Sequence, residues 1–314
     1  MKKILVTGGC GYKGSVLVPK LLRQNFKVVV LDIQWFGNYL EPHPNLLVLK
    51  KDVRDIDKIN LNNIDIIIHL SSVANDPCGD LNPKLTWEIS ALATMQLADK
   101  AVKSGVKQFI YASSGSVYGI KDEENVTEEL ELNPISEYNK TKMVSERVLL
   151  SYSDKIIVQI IRPATVCGYS PRMRFDISVN ALAINALENQ KIIVHGGEQV
   201  RPNIHIDDIT DLYLFLIEKG KNITGIFNAG FENLKIKEVA QIVANKISSN
   251  IVIEDSFDHR SYRINSDKLL KTGFKPKKRV SNAIEDLREK FINEKLKNKP
   301  EFNNLEWMEK NLYE

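Results

Sequence analysis

The stretch KILVTGGCGYKGSVLVPKLLRQNFKVVVLD, residues 3–32, decides the fold. It begins with a β-branched run that is typical of a buried strand, passes through a glycine-rich turn, and then shows apolar residues at helical spacing over residues 15–22. Residues 27–31 are a second apolar run of the buried-strand type. The order strand, glycine turn, helix, strand predicts the first unit of a dinucleotide-binding fold.

The glycine turn, TGGCGYKG, carries two overlapping patterns. Gly8, Gly11 and Gly14 form G-x-x-G-x-x-G, and Gly9 begins G-x-G-x-x-G with the same last two glycines. Glycine is needed because the chain turns sharply and a pyrophosphate must approach the backbone, while the helix behind it offers free N–H groups. We expect these four glycines and Tyr12 to contact a dinucleotide; the alternative is a tight turn without a ligand.

The acidic residue Asp32 selects the cofactor. It ends the second strand ~20 residues beyond the glycines, where a ribose-binding carboxylate belongs. A carboxylate there binds the ribose hydroxyls of NAD and repels the 2′-phosphate of NADP, and residues 33–36 contain no arginine. The predicted cofactor is therefore NAD. Asp52 and Val53 follow the third strand and Leu70 ends the fourth, so we expect them near the cofactor, although a turn cap is an equal alternative for Asp52.

The alternation of apolar runs and helical patterns continues through the first half of the chain. Strands are predicted at residues 46–49, 64–70, 108–112 and 156–161, and helices at residues 84–103 and 137–151. Near-continuous valine and isoleucine runs of this kind indicate an α/β Rossmann fold, a doubly wound parallel sheet with both faces covered.

After residues 162–163 the rhythm changes, and a smaller α/β lobe is predicted. Its expected elements are a helix at 175–187, a strand at 191–194, a helix capped by Asp207 and Asp208 that ends near residue 219, and a strand at 225–229. The expected domains are an NAD-binding Rossmann domain, residues 1–168 plus about 203–229, and a substrate lobe, about 169–202 plus 230–314.

Tyr138 and Lys142 are four residues apart in YNKTK, which places them on one face of a helix. An ammonium close to a phenol lowers the pKa of the phenol, and a tyrosine with a lowered pKa is a useful general base at neutral pH. The same spacing occurs by chance in many helices, so the pair needs support from a second motif.

A serine-rich run, YASSGSVYG at residues 111–119, gives that support. It follows the fifth predicted strand and therefore lies at the carboxyl edge of the sheet, where ligands bind in this type of fold. A serine hydroxyl at this edge can hold a substrate oxygen beside Tyr138. The alternative is a loop whose serines cap their own backbone.

Together these segments resemble the extended short-chain dehydrogenase/reductase family. The resemblance covers residues 1 to about 170 and rests on the glycine turn, Asp32, Ser-Ser-x-x-Val-Tyr-Gly, Tyr138-x-x-x-Lys142 and Arg162-Pro163. It implies a Ser–Tyr–Lys catalytic triad.

The triad serine implied by the resemblance is Ser114, three residues before Val117. Ser113 and Ser116 are less favoured neighbours. The implied triad is therefore Ser114, Tyr138 and Lys142, with Tyr138 and Lys142 also contacting the cofactor.

The second half resembles the sugar-nucleotide branch, which is UDP-glucose 4-epimerase-like. The run GGEQVRPNIH is similar to a stretch whose arginine binds a nucleotide diphosphate, which implies that role for Arg201. Asn180 falls in a helix that borders the diphosphate in this branch, and Arg260 matches a second phosphate-binding arginine. The planar guanidinium pairs two phosphate oxygens. For each arginine the alternative is a surface ion pair, and His205 is interpreted as a packed histidine.

The run SPRMRFD, residues 170–176, resembles a bacterial subgroup that serves surface-polysaccharide synthesis and includes both epimerases and a 4-dehydrogenase type. The roles of Arg172 and Arg174 stay open.

Two departures from the family pattern narrow the reaction. Sugar-nucleotide 4,6-dehydratases carry an Asp-Glu pair directly after the triad serine or threonine, whereas this chain has Gly115 and Ser116, which argues against dehydration. Many members have an asparagine in the helix before the fifth strand, where this chain has Ser90.

The resemblance implies NAD-dependent oxidation at C4 of a nucleoside-diphosphate sugar. A 4-epimerase is favoured, because NAD fits a retained oxidant better than a reductase. A 4-dehydrogenase or 4-ketoreductase is an alternative, and a non-catalytic NAD-sensing protein is a rival of another class. We also expect a homodimer through the helices at 84–103 and 137–151; the alternative is that their apolar stripes only cover the sheet.

The composition sets the remaining limits. The 314 residues are 43% apolar and 26% charged, and a net charge of +3 does not indicate a nucleic-acid or membrane-surface partner. Three scattered cysteines imply neither a disulfide framework nor a zinc site. No apolar stretch approaches the ~18 residues of a membrane helix, and the N-terminal apolar run is too short for a signal peptide. We expect a cytoplasmic protein without a metal.

Overall fold

The computed structural model describes residues 1–256 and 261–313. Within these residues lie twelve strands: β1 (Lys3–Thr7), β2 (Lys27–Asp32), β3 (Leu46–Lys50), β4 (Ile66–His69), β5 (Gln108–Ala112), β6 (Ile157–Pro163), β7 (Thr165–Cys167), β8 (Lys191–His195), β9 (Val200–His205), β10 (Gly225–Ala229), β11 (Glu232–Lys235) and β12 (Asn250–Glu254).

The same residues form eleven α-helices: α1 (Gly14–Arg23), α2 (Asp76–Leu81), α3 (Pro83–Trp87), α4 (Ala93–Lys103), α5 (Glu137–Leu150), α6 (Ser178–Asn189), α7 (Ile206–Lys219), α8 (Ile236–Ile247), α9 (Asp267–Lys271), α10 (Val280–Ile292) and α11 (Asn304–Met308). Short 3₁₀ or π turns lie at Val53–Lys58, Glu88–Leu92, Gly115–Tyr118, Gly220–Asn222, Pro300–Phe302 and Glu309–Tyr313.

The central sheet has seven strands in the order β10-β6-β5-β4-β1-β2-β3. The six strands from β6 to β3 pair in parallel along this order. The strand order reverses between β1 and β4, which is the switch point where ligands bind in doubly wound sheets. The predicted α/β Rossmann fold is confirmed.

The burial of the strands explains why this sheet forms. Every residue of β4 and β5 is buried, and β1 is buried after its first residue. Strands covered on both faces bury the side chains on either side, so most positions are apolar, and this requirement produced the valine and isoleucine runs in the sequence.

The helix predicted at residues 84–103 is not a single regular helix. It consists of α3, a π turn at Glu88–Leu92, and α4. The Ser90 carbonyl in the π turn accepts hydrogen bonds from the hydroxyls of Thr94 and Ser145, each at 2.8 Å. Side-chain donors that compete for a backbone carbonyl disturb the regular i→i+4 pattern, and hydrophobic spacing alone does not reveal them.

Two further boundary predictions were wrong. The helix expected from residue 175 begins at Ser178, and Phe175 donates its backbone N–H to Phe302 O at 2.7 Å. Asp207 and Asp208 do not cap α7 but lie inside its first turn. The Asp208 carboxylate accepts the backbone N–H groups of Lys277 and Lys278, each at 2.9 Å.

The chain divides into two compact units. The first unit comprises residues 1–117, 134–162 and 210–227, and the second comprises residues 118–133, 163–209 and 228–314. The second unit contains a three-stranded sheet, β11-β9-β7, and a two-stranded sheet, β12-β8. Its apolar core is formed by residues of α6, α8, α10 and β8.

All three cysteines are buried free thiols. Among the helices of the described residues, none combines the length and the apolar character that a membrane crossing requires.

Candidate active site

The glycine turn joins β1 to α1 in the first unit. Gly8 has φ +70°, and a Cβ at this position would lie 2.7 Å from the backbone nitrogen of Ser71. A Cβ on Gly14 would lie 2.3 Å from Gly9 O, so only glycine lets the helix start so close to the turn. No side chain caps the start of α1, and its first turn holds no acidic residue. A bare helix start behind a glycine cradle fits a pyrophosphate.

The Asp32 carboxylate lies at the carboxyl end of β2 and is held by two backbone donors. Cys10 N donates to Oδ2 at 2.9 Å and Gln34 N donates to Oδ1 at 2.7 Å. Burial, and secondarily the Asp32 charge, raise the pKa of the Cys10 thiol to about 12, so the thiol stays neutral. The glycine turn and Asp32 therefore form one hydrogen-bonded unit, which fits the NAD ribose that the sequence predicts there.

The other predicted cofactor residues flank this unit with different environments. Tyr12 and Val53 are buried and Leu70 is half-buried. Asp52 caps the 3₁₀ turn at Val53–Lys58 and accepts three hydrogen bonds from Arg54. Burial would raise the pKa of Asp52, but the Arg54 hydrogen bonds hold it below its usual value. The turn-cap alternative describes this carboxylate, and its contact with the cofactor stays a prediction.

Helix α5 carries Tyr138 and Lys142. Ser136 caps the helix by accepting the backbone N–H of Asn139 at 3.1 Å, which places Tyr138 in the first turn. Lys142 is buried; its Nζ donates to Ala112 O at 2.8 Å and lies 5.7 Å from the centroid of the Tyr138 ring. The motif therefore brings the ammonium near the Tyr138 ring, although the Tyr111 ring is closer, with its centroid at 4.9 Å.

The surroundings of Lys142 act on the pKa of its ammonium in both directions. Burial, and secondarily the positive charge of Lys13, lower the pKa of Lys142 well below its ordinary value, while the Glu146 carboxylate acts in the opposite direction. The hydrogen bond to Ala112 O also favours the ammonium form.

The three serines after β5 have different partners. Ser113 is buried and donates to Glu146 Oε1 at 2.5 Å. Ser116 donates to Asn139 Oδ1. Ser114 is half-buried, accepts the backbone N–H of Ser116 at 3.2 Å and lies 2.7 Å from the Ser116 hydroxyl. Ser113 is committed to the interior, which leaves Ser114 as the better candidate for a substrate contact.

Sequence reasoning missed a buried ion pair that involves helix α5. Arg162 donates from Nε to Glu146 Oε1 at 2.9 Å and from Nη2 to Oε2 at 2.6 Å, and both side chains are almost fully buried. The available signal was that Glu146 follows Lys142 by one helical turn, and hence shares its face. The pair fixes α5 against β6.

A second missed group is His69, at the end of β4. Its Nδ1 lies 2.6 Å from Thr7 Oγ1 and its Nε2 lies 2.8 Å from Thr94 Oγ1. Complete burial, and secondarily the positive charge of Lys142, lower the pKa of His69 to about 3. A neutral histidine therefore lies beneath the switch point.

Ser90, which stands where many family members have asparagine, is also buried in the first unit. Its hydroxyl lies 3.0 Å from Ser72 Oγ and accepts the backbone N–H of Val73 at 3.3 Å. The side chain thus supports the loop that follows β4.

In the second unit, Asn180 organises the segment between β7 and α6. Its Oδ1 accepts Gly168 N and its Nδ2 donates to Arg174 O, each at 3.0 Å. Arg174 forms a two-bond ion pair with Asp176 at 2.9 and 2.6 Å. Although burial would raise the pKa of Asp176, the charge and hydrogen bonds of Arg174 hold it below its usual value.

Arg172 has a structural role in the interior of the second unit. It is almost completely buried and donates to Met173 O at 3.1 Å, to Glu301 O at 3.4 Å and to Asn304 Oδ1. The side chain therefore fastens the C-terminal segment of the second unit to the 168–176 loop.

Arg201 is half-buried on β9, where its Nη1 donates to Val200 O at 3.1 Å. Arg260 lies outside the described residues.

His205 is buried, and its Nδ1 accepts the backbone N–H of Asp207 at 3.0 Å. With Asp207 and Asp286 it could hold a metal ion. Lys278 Nζ already lies 3.0 Å from the Asp207 carboxylate and 2.9 Å from that of Asp286, and so supplies positive charge to this group.

Comparison with known proteins shows the family to which the chain belongs. A model described as the NAD dependent epimerase/dehydratase family matches residues 4–230. The chain belongs to this family.

Individual members of the NAD dependent epimerase/dehydratase family are similar over most of the chain. A protein of Methanocaldococcus jannaschii described as a putative UDP-glucose 4-epimerase is 29% identical, covering 90% of this chain and 95% of the relative. The UDP-glucose 4-epimerase of Lactobacillus helveticus is 26% identical, covering 77% of this chain and 81% of the relative.

Among solved structures of the family's fold, the UDP-glucose 4-epimerase of Thermotoga maritima with UDP-glucose superposes with a TM-score of 0.85. The identity is 24%, over 93% of this chain and 99% of the other. This likeness shows the fold. Family membership confirms the resemblance inferred from the motifs and confirms NAD as the cofactor, which the cradle formed by the glycine turn fits.

Proposed function

We propose that the protein is an NAD-dependent sugar-nucleotide 4-epimerase. One observation carries the proposal: Tyr138 and a buried Lys142 share a face of α5 beside the serines that follow β5, while Gly115 and Ser116 occupy the positions of the dehydratase pair. The relatives described as UDP-glucose 4-epimerases support the same reaction.

In this proposal Tyr138 is the general base. It takes the proton of the C4 hydroxyl as C4 loses a hydride, and Ser114 holds the same oxygen. Bound NAD supplies the acceptor for that hydride and its return to the opposite face of C4. Lys142, whose Nζ lies 5.7 Å from the Tyr138 ring centroid, stabilises the phenolate by its charge.

The substrate is a nucleoside-diphosphate sugar. We assign its diphosphate to Arg201 and Asn180 of the second unit, with Arg260 as a second arginine, and NAD to the predicted Rossmann domain, residues 1–168 plus about 203–229. A guanidinium pairs two oxygens of a pyrophosphate in one plane, which a lysine does not do.

We also propose a homodimer through the π turn at Glu88–Leu92, α4 and α5. Leu92 is 45% exposed and Met95 is 41% exposed, so these two apolar side chains, one turn apart, are available to a partner. Leu149 of α5 is buried within its own chain and is not available to a partner. Sedimentation at micromolar concentration should give twice the monomer mass; a monomer contradicts the dimer.

The run SPRMRFD at residues 170–176 supports a role in bacterial surface-polysaccharide synthesis. Deletion of the gene should then remove a cell-surface sugar, and an unchanged surface composition contradicts this role.

A panel of UDP-, GDP-, CDP- and dTDP-sugars tests the reaction. The purified protein should convert at least one of them into its C4 epimer, read by NMR, without a net build-up of NADH. A 4-keto product with accumulating NADH supports the dehydrogenase alternative. If no sugar nucleotide is converted, the proposed function is wrong.

A further inference from the structure

Three polar side chains of the first unit, Ser114, Ser116 and Asn139, form a hydrogen-bonded chain. Ser114 Oγ lies 2.7 Å from Ser116 Oγ, and Ser116 Oγ donates to Asn139 Oδ1. Asn139 is almost completely buried, whereas both serines are half-buried. These hydrogen bonds connect the loop after β5 to helix α5, at the residue that follows Tyr138.

The donor directions follow from the chemistry at the buried end. The carbonyl oxygen of an asparagine side chain only accepts hydrogen bonds, so the hydroxyl hydrogen of Ser116 is directed to Asn139. Ser116 Oγ then offers only lone pairs to Ser114, and Ser114 must donate its hydrogen to Ser116. The backbone N–H of Ser116 donates to Ser114 Oγ at 3.2 Å, so two bonds fix the Ser114 side chain.

We propose that Asn139, acting through Ser116, is a positioning residue for Ser114. The inference rests on the proposed function, in which Ser114 holds the C4 oxygen of the substrate. The Ser114 hydroxyl turns between two acceptors, the Ser116 hydroxyl oxygen and the C4 oxygen. Asn139 keeps the first acceptor available by holding the Ser116 hydrogen, so that Ser114 returns to one defined orientation after each hydride transfer.

A merely structural role for Asn139 makes different predictions. A cluster that only satisfies buried polar groups affects the stability of the loop and does not act selectively on the chemical step. A positioning role changes kcat and leaves the KM for the sugar nucleotide and the affinity for NAD unchanged, because Ser116 and Asn139 are not among the proposed binding residues.

The test compares Ser116→Ala, Ser116→Thr, Asn139→Ala and the double alanine variant with Ser151→Ala, an exposed serine near the end of the same helix, as the control. Ser116→Ala and Asn139→Ala should each lower kcat about tenfold, the effect of one lost hydrogen bond. Ser116→Thr should restore kcat to within about twofold of wild type, because it keeps the hydroxyl. The kcat of the double variant should be no lower than that of the more impaired single variant, because both residues act on Ser114 through the same series of hydrogen bonds.

Three outcomes overturn the role: an unimpaired Ser116→Ala, a Ser116→Thr variant as impaired as Ser116→Ala, or effects that multiply in the double variant. If Asn139→Ala fails to fold, the two Ser116 variants decide. Wild-type turnover is measured first. If the wild-type protein shows no turnover, both the proposed function and the positioning role are overturned. If the wild-type protein is active and Ser116→Ala is equally active, only the positioning role is overturned.

Discussion

Helix α5 and the segment of residues 168–180 each carry an ion pair, fully buried in α5 and partly buried in the segment, and the two pairs differ in the sequence distance that they span. On α5, Glu146 pairs with Arg162 of β6, so the bond joins two elements of the first unit. In the 168–180 segment of the second unit, Arg174 pairs with Asp176 only two residues away. The first pair fixes a helix in the fold, and the second shapes a loop locally.

This difference matches the chemistry proposed for each region. A general base and its neighbouring ammonium must keep one geometry through the reaction, because misplacement by a single ångström costs rate. The tertiary ion pair beneath Lys142 provides that rigidity. A diphosphate-binding segment needs charge and backbone donors, which a loop organised from within can present.

The largest effect is expected at the base itself. Tyr138→Phe should lower kcat by about 10²–10⁴-fold, because it removes the proton-accepting oxygen and little else. NAD affinity, measured by titration, should stay near the wild-type value. Near wild-type turnover in Tyr138→Phe would show that Tyr138 is not the base. The proposed difference in chemistry between α5 and residues 168–180 would then have no support.

The ion pair of the first unit should matter more for stability than that of the second. Glu146→Gln should lower the free energy of unfolding by about 3–5 kcal/mol, because it leaves the Arg162 charge buried without its partner. Replacing both by Leu and Met should cost less than either single change. Denaturant unfolding is the measurement, and Asp176→Asn is the matched comparison. Equal losses in the free energy of unfolding for Glu146→Gln and Asp176→Asn would contradict the proposed difference between the two ion pairs.

In the second unit the expected effect is on substrate affinity. Arg201→Ala should raise the KM for the sugar nucleotide by about one to three powers of ten, equivalent to roughly 1.4–4 kcal/mol, because the diphosphate loses a charged partner. NAD affinity should change much less. Lys235→Ala on β11, which removes an exposed partner of Glu198, is the control and should leave KM unchanged. An unaltered KM in Arg201→Ala would place the diphosphate elsewhere.

The smallest expected effect is the acid sensitivity due to His69. The folded protein keeps His69 neutral down to about pH 3, whereas the unfolded chain protonates it near 6.5. Between these values the unfolded state binds more protons, so stability falls as the pH is lowered, by at most about 1.4 kcal/mol per pH unit. Denaturant titrations at pH 7, 6 and 5 should show a shallower loss in His69→Gln. Identical slopes would show that His69 does not contribute.

The sequence was informative where function rests on short-range spacing. The glycine turn, Asp32 and the pair Tyr138 and Lys142 each depend on neighbours within one turn or one strand–helix unit, so their geometry follows from local periodicity. The sheet was predictable because burial on both faces imposes uninterrupted apolar runs.

The features that were not predicted depend on tertiary contacts, which a single sequence does not show. The partner of Glu146 could be named only once α5 and β6 were packed together. Arg172 had the same sequence character as Arg174, yet the fold buries it against the C-terminal segment. In the π turn, the Ser90 carbonyl accepts a hydrogen bond from the hydroxyl of Ser145 of α5, a contact that becomes visible only once the two elements are packed together.

The most direct test of the central claim is turnover of a sugar nucleotide deuterated at C4, with NAD present but no system that recycles NADH. The account predicts that the deuterium returns to C4 of the inverted product and that NADH does not accumulate, because the hydride never leaves the site. Loss of the deuterium from the sugar, together with a 4-keto product and rising NADH, would contradict the epimerase and identify a dehydrogenase.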